Sequence, residues 1–337
     1  MKNLKKTSII ITILSFLSFF TSANAEIKVV ASIKPIHSLV SYLMDGVSKP
    51  SLIVDGYASP HGFALKPSHA KMLQEADIIF WVGEDLENFL EKPLDSIAKK
   101  AEKIELLETK GLIKLKFRER NIFDDHDDHG HDDGHKKKDD HDDHDHDDHA
   151  KKEDGHDDHD DHDDHEGHNH GEFDPHIWLD PINAKVILFE MSKHLIENDP
   201  KNENAYRTNL SKAYKEIDKL TSDVTAELNQ SVASIVFHDA YQYFEKRFNV
   251  NILGAFTVNT DVMPGAEQLS EIREIIEHDK VVCVFSEPQF NPDIIKAVAK
   301  DMNIKTGVVD PLGATLNPSK DLYFDLIKNM SKSFKGC

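Results

Sequence analysis

The amino-acid sequence predicts an α/β protein with two lobes, each a parallel sheet flanked by helices, joined by a long rigid helix with a metal site in the cleft between the lobes. Short β-rich runs alternate with helical patterns, this alternation occurs twice, and one long helical pattern separates the two series. The predicted divisions are a signal peptide at 1–25, an N-terminal lobe at 26–200, a linking helix at 201–230 and a C-terminal lobe at 231–337.

The first 25 residues have the pattern of a secretory signal peptide. Lysines 2, 5 and 6 precede an apolar stretch at 9–20, and Ala23-Asn24-Ala25 follows as a small-x-small cleavage site. A membrane anchor would need roughly 20 apolar residues. We therefore expect cleavage after Ala25 and a periplasmic location for the mature chain.

The alternation predicts three strands in the first half of the chain and four in the second. In the first half, strands are expected at 27–33, 50–56 and 77–83, with helices at 36–44 and 67–76. In the second half, strands are expected at 233–238, 250–258, 281–287 and 304–310, with helices at 240–248, 265–278 and 291–302. Helical spacing from Ala205 to Leu228 predicts a linking helix of about 28 residues, roughly 40 Å long.

A low-complexity segment at 124–170 repeats the unit DDH. It contains 22 Asp or Glu, 5 Lys and 14 His, for a net charge of −17, while the whole chain carries −21. It has no large apolar side chain, so we expect it to be disordered. Its histidines and carboxylates indicate a weak, multi-ion zinc reservoir or sensor, and the alternative is an ordinary solvated charge run. Nucleic-acid binding is not expected, because the chain has no basic stripe.

The chain has two cysteines, Cys283 and Cys337. An even pair in an exported protein indicates a disulfide, which would tie down the C-terminus, and the alternative is two free thiols.

Three histidines outside the segment at 124–170 are candidate metal ligands. His61 follows a predicted strand, His238 ends another, and His176 lies in a proline-bracketed loop before the linking region. Ligands of open α/β sheets bind at the carboxyl ends of strands, and Asp310 follows a strand in the same way. Three neutral imidazoles and one carboxylate suit Zn²⁺, whereas Mn²⁺ prefers more oxygen ligands.

Three alternative functions remain for a metal-binding protein of this kind. It could be a manganese or iron carrier, a secreted zinc hydrolase, or a zinc-storing adhesin. A hydrolase would keep a water on the metal and need a general base. The chain has no HExxH motif, and Glu287 is the one candidate base, although a supporting role in the cleft is the better interpretation. We expect a binding protein that is not an enzyme.

Several stretches of the chain resemble the periplasmic zinc-binding proteins of the ZnuA type. They are ASIKPIHSLV, ASPHGFALKPSHAKMLQEADIIFWVGEDLE, DPHIWLDP, VFHDAYQYFE, TDVMPGAEQL, FSEPQFNP and VVDPLGATL. The resemblance implies a carrier that delivers Zn²⁺ to the membrane permease of an ABC importer, and we expect a monomer. It also implies that the histidine ligands are His61, His176 and His238, and that Cys283 pairs with Cys337.

The chain departs from this family at one position beside the site. Some zinc-binding members have a glutamate directly before the first histidine, where this chain has Pro60. The fourth ligand is therefore expected from Asp310, or else from water.

Overall fold

A computed structural model describes residues 26–118, 120–122, 171–228, 232–258, 260 and 263–337. The predicted signal peptide and the segment at 124–170 lie outside the described residues, so the expectations for them stay predictions. None of the helices in the described part of the chain has the length and apolar composition needed to cross a bilayer.

The N-terminal lobe is a four-stranded parallel sheet with the strand order β2-β1-β3-β4. Its strands are β1 (Val29–Ile33), β2 (Ser51–Val54), β3 (Ile78–Trp81) and β4 (Glu102–Glu105), and its helices are α1 (Lys34–Leu43), α2 (Pro67–Glu75) and α3 (Glu84–Ser96). Every residue of β1 and β3 is buried, as expected for central strands covered on both faces. Proline lies in the first turn of both α1 and α2, where its missing N–H costs nothing.

The C-terminal lobe repeats this architecture with the parallel strand order β6-β5-β7-β8. Its strands are β5 (Ser234–His238), β6 (Ile252–Thr257), β7 (Cys283–Ser286) and β8 (Lys305–Val308), and its helices are α6 (Gln242–Phe248), α7 (Ala266–His278), α8 (Asp293–Met302) and α9 (Leu322–Gly336). In both sheets the second strand pairs on one side of the first and the third strand pairs on the other side. This reversal leaves a crevice at the carboxyl ends of the two central strands, where open α/β sheets bind ligands.

Two long helices lie between the sheets, α4 (Pro181–Asn198) and α5 (Glu203–Glu227). The 25 residues of α5 span about 37 Å at 1.5 Å per residue. This helix packs against α1, α4 and α9. One hydrophobic core consequently extends from β1 through α5 to β7 and α9, so the two lobes share their interior.

The structure confirms the predicted fold class and corrects several details. The elements β4, α3 and α9 were not predicted. The strand β4 is an edge strand of sequence EKIE in which one residue of four is buried, so it lacks the apolar signal of the central strands. Cys283 and Cys337 form a disulfide, with their Cα atoms 5.9 Å apart, which attaches the end of α9 to β7.

Candidate metal centre

The crevice of the C-terminal sheet positions two polar side chains side by side. His238 is the last residue of β5, and Glu287 directly follows β7, the neighbouring strand. His61 lies in the loop that joins β2 to α2, and His176 precedes a single 3-10 turn before α4. Because α5 and the shared core hold the two sheets together, these loops meet in the cleft between the lobes.

The structure brings His61, His176 and His238 into one group. One nitrogen of each ring lies within 4.8 Å of the corresponding nitrogens of the other two. The ring centroids are 5.8 Å apart for His61 and His176, 5.9 Å for His61 and His238, and 5.4 Å for His176 and His238. Tetrahedral coordination with Zn–N bonds of about 2.0–2.1 Å needs nitrogens about 3.3 Å apart, so the donor set fits zinc after a small inward shift.

The Glu287 carboxylate orients His238. Its Oε1 lies 2.6 Å from Nδ1 of His238, and the Glu287 side chain has no exposed surface. Because the ring donates its Nδ1–H to this acceptor, the lone pair of Nε2 is left for a ligand. That Nε2 atom is buried and has no hydrogen-bond partner in the part of the chain that the structure describes. A buried unsatisfied nitrogen is costly, and a bound cation would satisfy it.

The pKa of His238 reflects the same contact. Burial on its own would lower this pKa, but the charge and hydrogen bond of Glu287 outweigh burial and raise the pKa above its ordinary value. The carboxylate therefore stabilises positive charge on this ring, whether a proton or a metal ion supplies it.

Asp174 orients His176 in the same manner. Its Oδ1 accepts hydrogen bonds from the backbone N–H of His176 at 2.9 Å and from the ring Nδ1 at 2.8 Å. Burial lowers the pKa of His176 well below its ordinary value, and the nearby charge of His238 lowers it further. The His176 ring is therefore neutral at pH 7 and ready to act as a ligand. Burial raises the pKa of Asp174 to about 7.

Sequence reasoning did not identify Asp174. The available signal was a carboxylate two residues before a candidate ligand in a proline-bracketed loop, at a spacing that lets one side chain bond both the backbone and the ring of the histidine. Such carboxylate–histidine pairs fix the tautomer of metal ligands.

Aromatic side chains surround the group. Trp178 lies 5.3 Å from the His176 ring and Tyr241 lies 6.3 Å from the His238 ring, between centroids. Phe290 also contacts His238, with its centroid 5.7 Å away. Phe63, two residues after His61, stacks on the buried ring of His69.

The structure does not place Asp310 with the three histidines. Its Oδ1 accepts hydrogen bonds from Gln289 Nε2 at 3.0 Å and from the backbone N–H of Leu312 at 3.2 Å. Its Oδ2 accepts from the backbone N–H of Thr315 at 3.4 Å. The carboxylate thus stabilises the turn conformation of the loop after β8. Ligation by Asp310 would require this loop to rearrange.

A second cluster of possible ligands lies on the surface of the N-terminal lobe, at Glu102, His194 and Glu197. Both ring nitrogens of His194 already contact carboxylates, Nδ1 with Glu102 at 2.8 Å and Nε2 with Glu190 at 2.9 Å. The histidines of the cleft have a nitrogen directed at a common centre instead. His37 also lies elsewhere, with its Nε2 3.2 Å from the carbonyl of Pro50.

The cavity at the histidines is small. It has a volume of about 40 Å³ and is lined by the three histidines together with Asp85, Phe117 and Phe173, among others. Sites for organic ligands usually have volumes of about 300–1,000 Å³. The cavity therefore has room for an ion and is far smaller than a usual site for an organic ligand.

A two-lobed fold with a rigid linking helix and a three-histidine cleft defines the class of metal-binding solute-binding proteins. The chain belongs to the ZnuA family, whose model, described as "Zinc-uptake complex component A periplasmic", matches residues 29–337.

Curated relatives and solved structures agree with this assignment. The "High-affinity zinc uptake system protein ZnuA" of Brucella abortus (strain 2308) is 45% identical over 340 residues, covering 100% of this chain and 99% of that protein. The protein of the same name from Yersinia pestis is 34% identical, covering 93% of this chain and 92% of that protein.

Among solved structures, one described as "Crystal structure of ZnuA" aligns with a TM-score of 0.68 at 20% identity, covering 92% of this chain and 99% of that one. The laminin-binding protein of Streptococcus agalactiae, described as bifunctional with adhesin and metal-transporting activity, has a TM-score of 0.68 at 21% identity, covering 92% of this chain and 100% of that one. At these identities the alignments show the shared fold.

Proposed function

We propose that this protein captures Zn²⁺ in the periplasm and delivers it to the membrane permease of an ABC zinc importer. The observation that carries the proposal is the convergence of His61, His176 and His238 from both lobes on one small buried centre. Membership in the family of periplasmic zinc-uptake proteins supports the identity of the metal and the location. Zinc is the cargo, so the protein performs no covalent chemistry.

Each histidine has a distinct role in this proposal. Glu287 and Asp174 hold the rings of His238 and His176 so that one nitrogen of each is directed at the ion. His61 lies in the loop between β2 and α2 and provides the third ligand. The fourth position belongs to a water molecule or, if the loop after β8 rearranges, to Asp310.

The alternative of a zinc hydrolase is not supported by the position of the one candidate base. Glu287 bonds Nδ1 of His238, at the far end of the ring from the nitrogen that would hold the metal. The Oε1 atom of this carboxylate is therefore engaged in supporting the ligand. A manganese carrier is not favoured either, because the three nitrogen donors provide none of the oxygen ligands that manganese prefers.

Partners and assembly follow from the role of a carrier. The loaded protein docks as a monomer on a permease, which works with a cytoplasmic ATPase. We propose that the segment at 124–170 gathers zinc ions weakly beside the cleft, since its 14 histidines and many carboxylates precede Gly171 at the rim of the cavity. Zinc titration of a chain lacking this segment tests that role, and an unchanged stoichiometry would contradict it.

The experiment that tests the main proposal compares the full chain with a triple variant, His61→Ala, His176→Ala and His238→Ala. We expect a chelator-competition assay to detect one tight zinc site in the full chain and none in the triple variant. The matched control is a triple variant at His37, His194 and His278, which should keep the tight site. In cells, a deletion strain should fail to grow under zinc starvation and recover only with the wild-type chain. Growth restored by the triple variant in the cleft would refute the proposal.

A further inference from the structure

Lys34 is a buried lysine at the crevice of the N-terminal sheet. It directly follows β1, a central strand, and so lies at the carboxyl end of that strand, one residue beyond the place that corresponds to His238 at the end of β5. Its side chain is 4% exposed. A lysine is almost never buried unless its ammonium group is paired, so the partners of this group indicate its task.

The partners of Lys34 come mostly from the other lobe. Its Nζ donates hydrogen bonds to the backbone carbonyls of Leu316 at 2.9 Å, Ala314 at 3.0 Å and Gly313 at 3.4 Å. Gly313 has a φ of +67°, a conformation that glycine adopts readily, and this turn directs the carbonyls at one point. The ammonium group thus binds the loop after β8, which contains Asp310, Pro311 and Leu312.

The same ammonium group also contacts the loop that contains His61. Nζ lies 3.4 Å from Oδ1 of Asp55, the residue that follows β2 and begins this loop. The two loops face each other beside the metal centre, because Pro60 and His61 from one loop and Pro311 and Leu312 from the other line a second small cavity, which also borders His176 and His238.

Two further contacts fasten the loop after β8 to the N-terminal half. Trp178 Nε1 donates to the carbonyl of Pro311 at 2.9 Å. Ser38, one turn after Lys34 on α1, donates to the carbonyl of Lys320 at 3.0 Å. Lys34 adds an ionic contact with the His61 loop, through the Asp55 carboxylate.

We propose that Lys34 is a positioning residue for zinc, which holds the loop of His61 against the loop at 309–316 and thereby slows release of the ion. Its ammonium group bridges the two loops on either side of the centre, so its loss lets His61 withdraw from the other two histidines. This inference rests on the proposed function. Lys34 does not touch the metal, but it controls the residence time of the bound ion.

The test measures zinc dissociation from Lys34→Met, in which the side chain keeps its length and loses its charge. We expect zinc to dissociate at least tenfold faster when a chelator is added in excess, with the association rate changed less than threefold. The matched control is Lys28→Met, which removes an exposed lysine of the same lobe. Zinc should dissociate from this control within twofold of the wild-type rate.

A second variant and a second measurement separate positioning from folding. Asp55 is 61% exposed, so Asp55→Asn should fold normally, and we expect it to speed zinc dissociation about threefold. Thermal unfolding without zinc is measured on all variants. A Lys34→Met protein that is less stable but releases zinc at the wild-type rate refutes the inference. If Lys34→Met does not fold, Asp55→Asn decides alone, and zinc dissociation from Asp55→Asn at the wild-type rate refutes the inference. These outcomes concern Lys34 only, because the wild type still binds zinc in each of them. A wild type without a tight zinc site would refute the proposed function itself.

Discussion

Replacing Glu287 with glutamine removes one buried negative charge beside a proposed ligand and leaves an oxygen that still accepts from His238 Nδ1. A zinc ion on Nε2 would lie about 6–7 Å from the carboxylate, because the imidazole ring, a Zn–N bond of about 2 Å and the 2.6 Å hydrogen bond lie between them. Coulomb's law with an effective dielectric constant of about 20 gives roughly 5 kcal/mol between charges of +2 and −1 at that distance.

The net effect on zinc affinity is smaller than this Coulomb energy. Glu287 also raises the pKa of His238, so in the metal-free protein the carboxylate stabilises a proton that competes with zinc. Carboxylates that orient metal ligands typically contribute 10–100-fold to affinity, or roughly 1.4–2.7 kcal/mol. We therefore expect Glu287→Gln to weaken zinc binding by a factor in this range.

The assay is chelator competition on the full chain at pH 7.5, with a chelator tight enough to remove zinc bound weakly at 124–170. The control is Glu87→Gln, which also neutralises a fully buried glutamate, but one whose Oε2 accepts from the backbone amides of Val82 and Gly83. We expect the control to bind zinc as the wild type does. If Glu287→Gln also binds zinc within twofold of the wild type, the carboxylate does not support the ligand and the reasoning is wrong.

Three further predictions concern stability and the fourth ligand. Burial raises the pKa of Glu87 from 4.5 to about 7, so the folded state loses stability as the pH rises through this range. Chemical denaturation should therefore show the free energy of unfolding of Glu87→Gln rising by about 2–3 kcal/mol relative to that of the wild type between pH 5 and pH 8. A difference that stays constant with pH would contradict the burial argument. Asp310→Ala should lower the melting temperature and change zinc affinity less than tenfold, because Asp310 bonds its own loop; calorimetry and chelator competition check this, and a loss of 100-fold or more would place the carboxylate on the metal. Reducing the bond between Cys283 and Cys337 frees a loop of 54 residues. Denaturation with and without reductant should show that the free energy of unfolding falls by up to about 4 kcal/mol. An unchanged free energy of unfolding would mean that α9 stays docked without the disulfide.

The sequence carried most of the information about the fold because its central strands are strongly apolar. The strands β1 and β3 are buried at every position, and their continuous apolar sequences predict a parallel sheet from local pattern alone. The polar edge strand β4 was missed because its place depends on pairing with β3, register by register, which no local pattern encodes.

The candidate site was predictable only in part. His61 and His238 follow or end strands, and this placement indicated that they would meet. The position of Asp310 after β8 gave the same signal, yet its side chain turns back to its own loop, because backbone amides two and five residues later compete for its oxygens. Asp174 was missed because its role depends on a hydrogen bond to a ring whose direction only the folded loop defines.

The continuous hydrophobic core across α5 affects how this protein could be converted into a zinc sensor. Reporters that exploit bending between lobes need a distance that changes when the ligand binds, but here both sheets and the helix between them are packed into a single unit. A pair of fluorophores at the outer ends of the lobes would therefore give little signal. A single environment-sensitive dye at Tyr57 or Met263, exposed residues in loops that follow β2 and β6, would report on the loops of the cleft, where the movement has to occur.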